Sequence, residues 1–235
     1  MSNRNIIHSI QEKIGYNIDP EFICKSIVCD FNDNFAIMSA LGYSGICLIH
    51  ILLKYVDDLN IYFIDTGFHF QETLDLLHRL EDLWPVNFII LRPKKDLYSL
   101  RREIGEFPWI SNPDLCCMYN KQEPLLSVIK TKNIWLSALR KDQSITRSKI
   151  EVIDVDMRGT LKIYPLAHWT SQQCWDYIHE YKLPYNSLHD KGYMSIGCRH
   201  CTTPILPGQH EREGRWNSML KLECGIHTYG NQKDI

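Results

Sequence analysis

The sequence predicts an α/β fold: a doubly wound, mostly parallel sheet covered by helices, with a mobile C-terminal tail. Three observations carry that expectation. The chain has 235 residues, 44% hydrophobic and 23% charged, which suits one large globular domain with a sizeable core. It holds no repeats, no low-complexity tracts and no Pro/Ser-rich linker. Short apolar runs alternate with stretches whose apolar residues recur at helical spacing, the pattern of strand–helix–strand units.

Taken in order, "NFAIMSA" (34–40) reads as a buried strand ending in small residues. "SGICLIHILLKYV" (44–56) reads as a helix with Ser44 available as its cap. "NIYFIDTG" (60–67) is a second strand that stops at Asp-Thr-Gly, and "FQETLDLLHRLEDL" (70–83) a second amphipathic helix. Pro85 precedes a third strand, "VNFIILR", and "NIWLSALR" (133–140) is a fourth. A helix follows at 170–181. Residues 184–215, rich in Pro and Gly and poor in periodicity, read as a long loop, which in a compact domain points to function.

Open α/β sheets bind ligands at the carboxyl ends of their strands. "SALGYSG" (39–45), "DTGFHF" (65–70) and "LRKDQSITRSK" (139–149) all fall there. The first sets small residues between strand and helix, where backbone N–H groups can cradle a phosphate. It matches neither Gly-x-Gly-x-x-Gly nor the Walker pattern. Lys121, Arg140, Lys141, Arg147, Arg212 and Arg215 cluster at strand ends and in the long loop, which favours an anionic ligand.

A formal net charge of −2 argues against broad binding to nucleic acid. The N-terminus lacks the apolar core of a secretory signal, and the longest apolar run, "ICLIHILL", is too short to span a bilayer. The expectation is a cytoplasmic, reducing location without membrane attachment. There, nine cysteines read as metal ligands or catalysts before they read as cross-links. Cys24, Cys29, Cys47 and Cys174 lie in apolar or helical surroundings and read as core filler. Cys116 and Cys117 are adjacent, and "GCRHC" (197–201) supplies Cys198 and Cys201. Four thiolates are the number for a closed zinc site or a [4Fe–4S] cluster. Adjacent cysteines suit a cubane, which offers separate corners, better than tetrahedral zinc; zinc and plain packing stay open. "LECGIH" (222–227) ends in a lone cysteine followed by Gly and His. It is an incidental tail thiol or a nucleophile on a movable arm. A nucleophile needs cations to lower a thiol pKa near 8.5, and Lys221 and His227 are candidates.

In this order the motifs "IDTGFHFQET", "LRKDQSITR", "CCMYNK" with "GCRHC", "PGQHEREGRW" and "ECGIH" resemble the assimilatory sulfonucleotide reductases. The likeness runs from about residue 35 to 229 and is to the iron–sulfur type acting on adenylyl sulfate (APS). The resemblance implies an adenine nucleotide alpha-hydrolase-like fold with a modified pyrophosphate loop. Residues 1–215 would form the sulfonucleotide-binding domain and 216–235 the tail. Cys116, Cys117, Cys198 and Cys201 would hold one [4Fe–4S] cluster per chain. Ser39 and Gly42 would face the phosphosulfate, Thr66 and Gly67 the adenosine, and Arg140, Arg147, Arg212 and Arg215 the anionic groups. Lys121 would sit between cluster and substrate. Cys224, with His227 beside it, would attack the sulfur of APS, releasing AMP and leaving an S-sulfocysteine. Thioredoxin or a similar dithiol protein, supplied by another chain, would then displace sulfite. Homo-oligomerisation stays open.

The sequence departs from the family's Ser-Ser-Phe-Gly-Ala-Glu loop at Ala40 and in "YSG", and Thr203 stands where an arginine often follows. Rival readings are a reductase for 3′-phosphoadenylyl sulfate (PAPS), or one using both nucleotides. An ATP-using tRNA-thiolating relative and a zinc-stapled binding module are further rivals. The cysteine pairs speak against the PAPS enzyme, the altered loop against the ATP user, and the intact tail against the module.

Overall fold

The computed structural model describes residues 3–31, 34–129, 131–132, 134–155, 160–217, 219 and 221–227. Asn133, which opens the predicted fourth strand, and tail residues 218, 220 and 228–235 lie outside them. One six-stranded sheet runs in the order β3-β2-β1-β4-β6-β5. Its strands are β1 (Phe35–Met38), β2 (Leu59–Ile64), β3 (Val86–Leu91), β4 (Ile134–Leu136), β5 (Ile153–Val155) and β6 (Leu161–Ile163). All neighbours are parallel except β5 with β6. Ile61, Ile37, Leu136 and Ile163 lie in register across four strands, each at most 1% exposed. That row is apolar because a sheet covered on both faces leaves no polar side for its central strands.

The chain builds outward from β1 to β3, then returns to lay β4 on the other side of β1. This reversal opens a crevice at the carboxyl ends of β1 and β4. The helices are α1 (Asn3–Ile14), α2 (Pro20–Phe31), α3 (Tyr43–Leu52), α4 (Gln71–Leu83), α5 (Leu97–Ile104), α6 (Pro108–Ser111), α7 (Pro113–Cys117), α8 (Glu123–Ile129) and α9 (Ser171–Glu180). A π-helical segment, Met118–Gln122, joins α7 to α8. α3 packs against α2 and α9, and α1 packs against α2.

The four predicted strands and three predicted helices are present, most of them shorter. Residues 65–67 and 137–140 leave the sheet beyond β2 and β4. α3 starts at Tyr43 with Gly42 as its cap, so Ser44 lies inside the helix and not at its end. It stops at Leu52, where Tyr55 N–H turns back to the Leu52 carbonyl (2.9 Å). α9 is capped as its sequence suggests, Thr170 accepting from Gln173 N–H (3.2 Å). The loop after β4 is tightened by 3₁₀ turns at Lys141–Gln143 and Ile145–Arg147, and 184–215 by two more.

Cys24, Cys47 and Cys174 are completely buried. Cys29 is exposed, contrary to expectation. Five residues beyond Cys24 on α2, it lies about 140° around the helix from the buried stripe. Among the described residues no helix is long and apolar enough to cross a membrane.

Candidate active site

A cleft of about 1120 Å³ opens at the crevice between β1 and β4. The turn after β1 supplies its floor. Ser39 is buried there and its Oγ accepts Leu41 N–H (3.1 Å). Leu41 takes a positive φ of 58°, and Gly42 then opens α3, so the helix N-terminus faces the cleft. Among the described residues four cations line the cleft: Lys121, Arg147, Arg212 and Arg215. The two carboxylates beside them, Glu211 and Glu223, are both committed to arginines. Arg212 Nε is buried without a hydrogen bond, and burial beside Arg147 lowers the Arg212 guanidinium to about 10. Such a cleft is short of negative charge and suits an anion.

Next to it lies a second, tighter cavity, lined by Cys116, Cys117, Cys198 and Cys201 with Phe68 and Trp109. Adjacent cysteines reach one cavity because they sit where α7 passes into the π-helical segment. Helices that widen in this way are frequent at functional sites. The other pair sits on a 3₁₀ turn held from two sides. Arg199 N–H donates to Phe68 O (2.7 Å), and Trp216 N–H to Cys201 O (3.0 Å). Arg215 lies directly over this turn, its Nη2 2.3 Å from where a Cβ on Gly197 would stand.

All four thiols are buried. Burial, reinforced by the facing sulfurs, pushes Cys116 up to about 12 and Cys201 up to about 11, and burial raises Cys117 as well. Two sulfurs have polar neighbours: Thr66 Oγ1 lies 3.4 Å from Cys198 Sγ and Asn120 Nδ2 3.6 Å from Cys116 Sγ. Among the described residues no three Cys, His, Asp or Glu side chains are gathered tightly enough for a single ion. All four thiols line the one cavity, and four sulfur donors are the set that a [4Fe–4S] cluster takes at its corners.

Lys121 and Cys198 line both cavities and so form the wall between them. Burial pulls the Lys121 ammonium down, but Cys198, Cys117 and Cys224 outweigh it and hold it charged. Cys224 packs against the cysteine cluster and faces the cleft. Burial raises its thiol, yet Lys121, the Ile226 N–H and Arg215 bring it below the ordinary value. Lys121 is therefore the principal cation for this thiol. Lys221 binds Asp114 instead. His227 is no cation: burial and Arg147 lower it to about 3, and its ring stacks on Trp135 at 5.3 Å.

The tail is docked over the cleft residue by residue. Glu223 binds Arg147 and Arg212. Cys224 O accepts from Gln122 Nε2 (3.2 Å). Gly225 takes φ 82°, and a Cβ there would lie 2.0 Å from Gln122 Nε2. Ile226 packs on the cluster of Ile64, Leu125 and Trp135, and His227 O accepts from the buried Lys162 (3.2 Å). Trp216, the first residue of the predicted tail, is itself buried among Cys117, Cys198 and Cys201.

Of the other predicted residues, Ser39, Gly42 and Thr66 line the cleft. Gly67, at φ 71°, does not. Nor does Arg140. Wholly buried, its guanidinium is spent on Asp142 (2.9 Å), Glu211 (2.8 Å), Tyr43 OH (2.7 Å) and Ser44 Oγ. Sequence reasoning passes over Gln122, Gln143, Lys162, Glu211 and Glu223. Each acts through tertiary partners, and the one local signal available was Glu223 standing beside the candidate nucleophile.

Comparison with known proteins places the chain among enzymes. Residues 34–204 match the phosphoadenosine phosphosulfate reductase domain. The adenosine 5′-phosphosulfate reductase of Halalkalibacterium halodurans is 40% identical over 199 residues, 84% of this chain and 86% of that protein. That of Bacillus mycoides is 38% identical over 200 residues, covering 84% and 86%. Among solved structures, the PAPS reductase of Candida auris, in complex with phosphate, superposes with a TM-score of 0.72 at 30% identity. It covers 86% of this chain and 98% of that one. The tRNA thiolase NcsA of Methanococcus maripaludis, with its [4Fe–4S] cluster, shares the fold alone. Its TM-score is 0.55 at 13% identity, over 85% and 67% of the chains.

Proposed function

The chain belongs to the phosphoadenosine phosphosulfate reductase family, and from that premise we propose that it reduces adenylyl sulfate to sulfite and AMP. The observation that carries the reading is the seat of Cys224, between a cation-lined cleft and a four-cysteine cavity, with Lys121 in the wall between them. The phosphosulfate takes the cleft. The N-terminus of α3 with Ser39 and Gly42 receives it, together with Arg215, Lys121 and the unengaged Nε of Arg212; Arg147 adds its field while clasped to Glu223. Thr66 borders the same space.

Cys224 Sγ attacks the sulfur, and the sulfur–oxygen bond to the phosphate breaks. AMP leaves with the electron pair and the enzyme keeps an S-sulfocysteine. Cations aimed at the departing oxygens stabilise the charge that develops there. A thiol of a dithiol protein of the thioredoxin kind then attacks Cys224 Sγ and sulfite departs. Its second thiol resolves the mixed disulfide, so the partner supplies both electrons and is oxidised to the disulfide. His227, neutral and stacked on Trp135, holds the tail by packing and not by charge.

Cys116, Cys117, Cys198 and Cys201 would hold a [4Fe–4S] cluster. Its contribution there would be electrostatic and structural, fixing the π-helical segment that carries Lys121 and the 3₁₀ turn Arg199–Cys201. Binding it deprotonates thiols that burial otherwise keeps neutral. The experiment is anaerobic purification followed by iron and sulfide analysis and a visible spectrum. Four irons per chain are expected, and both colour and activity should be lost in Cys116→Ser and in Cys201→Ser. A colourless zinc protein, or a Cys201→Ser variant with full iron and activity, would overturn the cluster assignment.

A further inference from the structure

Glu223 stands immediately before Cys224, and its carboxylate is engaged on every side. It accepts from Arg147 Nη2 (2.7 Å) and Nε (2.8 Å), from Arg212 Nη2 (3.1 Å) and from Thr146 Oγ1 (2.9 Å). Its side chain is 14% exposed. The arginine that grips it is held in turn: Arg147 Nη1 donates to Gln143 Oε1 (2.5 Å), and that same oxygen accepts Arg140 N–H (3.3 Å). Arg212, from the long loop, also donates to Leu222 O (3.0 Å). Three segments therefore meet on one carboxylate: the loop after β4, the long loop and the tail.

A two-point arginine–carboxylate contact fixes direction as well as distance. On the other side of Cys224 the chain bends at once through Gly225, at φ 82°. The packing of Ile226 and His227 reaches the thiol only across that bend. We propose that Glu223 is a positioning residue, whose clasp by Arg147 and Arg212 sets where Cys224 Sγ stands over the cleft. The two arginines serve the tail as well as the substrate. Displacing a nucleophile by about 1 Å can cost on the order of a hundredfold in rate, so the clasp is read in turnover, while releasing Arg147 and Arg212 from it would not weaken nucleotide binding.

The inference uses the proposed reaction for its rate measurement alone; a second measurement is independent of it. Glu223→Gln keeps the volume and removes the charge. With adenylyl sulfate and a dithiol protein, kcat should fall at least tenfold with KM within threefold of the parent. Limited trypsin digestion should cleave after Lys221 at least fivefold faster, with circular dichroism and iron content unchanged. Should Glu223→Gln fail to accumulate, Glu223→Asp, which draws the carboxylate back by one methylene, takes the same two measurements with the same direction expected. Cleavage at the parental rate overturns the inference whatever the kinetics. So does a rise in KM at constant kcat, which would make Glu223 a substrate contact. If the parent turns over no adenylyl sulfate, the proposed reaction fails, and the cleavage rate still decides the role of Glu223.

Discussion

Lys121 shows how much a single residue can carry. It emerges from the π-helical segment directly beyond Cys117, is buried, and faces thiols on both sides. Its charge favours the thiolate of Cys224, so removing it should raise that thiol. The sign is fixed: at neutral pH, Lys121→Gln leaves less thiolate. Rates of Cys224 alkylation by iodoacetamide, followed across pH by peptide mass spectrometry, should show a midpoint moved upward, with reaction at pH 7 about tenfold slower. An unmoved midpoint would assign the activation of Cys224 to Arg215 and the Ile226 N–H instead. At this scale the sequence names the groups but not their pairings. Lys121 was legible as a neighbour of the cysteines. That Lys221 turns to Asp114 and His227 to Trp135 depends on how the tail folds back, which no local pattern records.

Elements place these residues, and the Arg140 network shows how they are tied together. Arg140 ends the stretch after β4, Tyr43 and Ser44 open α3, and Glu211 comes from the long loop; all meet around one guanidinium. Removing a partner from a buried pair leaves an uncompensated charge. Glu211→Ala should therefore cost about 2–3 kcal/mol, or about 5–10 °C in Tm, measurable by calorimetry. A change below about 1 °C would mean that Asp142 alone satisfies the guanidinium. Strands β1 to β4 and helices α3, α4 and α9 were legible because their apolar spacing is determined locally; α1 and α2 were passed over. α2 had a start signal in Asp19 before Pro20, with Asp19 accepting from Glu21 N–H (3.2 Å) and Phe22 N–H (3.3 Å). The β5–β6 pair was not legible: three-residue strands carry too little periodicity, and long-range pairing decides them. The π-helical segment likewise leaves no spacing of its own to read.

At the scale of the whole molecule the cleft, not any single residue, chooses the nucleotide. PAPS carries a 3′-phosphate that needs cations of its own, each charge-assisted hydrogen bond contributing roughly 1.5–3 kcal/mol. Arg92, Lys94 and Lys95 are the cations that follow β3. None lines the cleft; Arg92 pairs with Asp65 (3.4 Å) and Lys95 with Glu103. A desolvated 3′-phosphate would go unpaired, so kcat/KM for APS should exceed that for PAPS at least tenfold, about 1.4 kcal/mol. Equal efficiency in side-by-side kinetics would require a cation from elsewhere. The central claim, that Cys224 takes the sulfonate from adenylyl sulfate, is tested most directly without any reductant. Protein incubated with one equivalent of APS should release one AMP and gain the mass of SO₃ on the peptide containing Cys224, and Cys224→Ser should gain nothing while keeping its iron. An adduct that persists in Cys224→Ser, or AMP released with no adduct on the parent protein, would contradict the account.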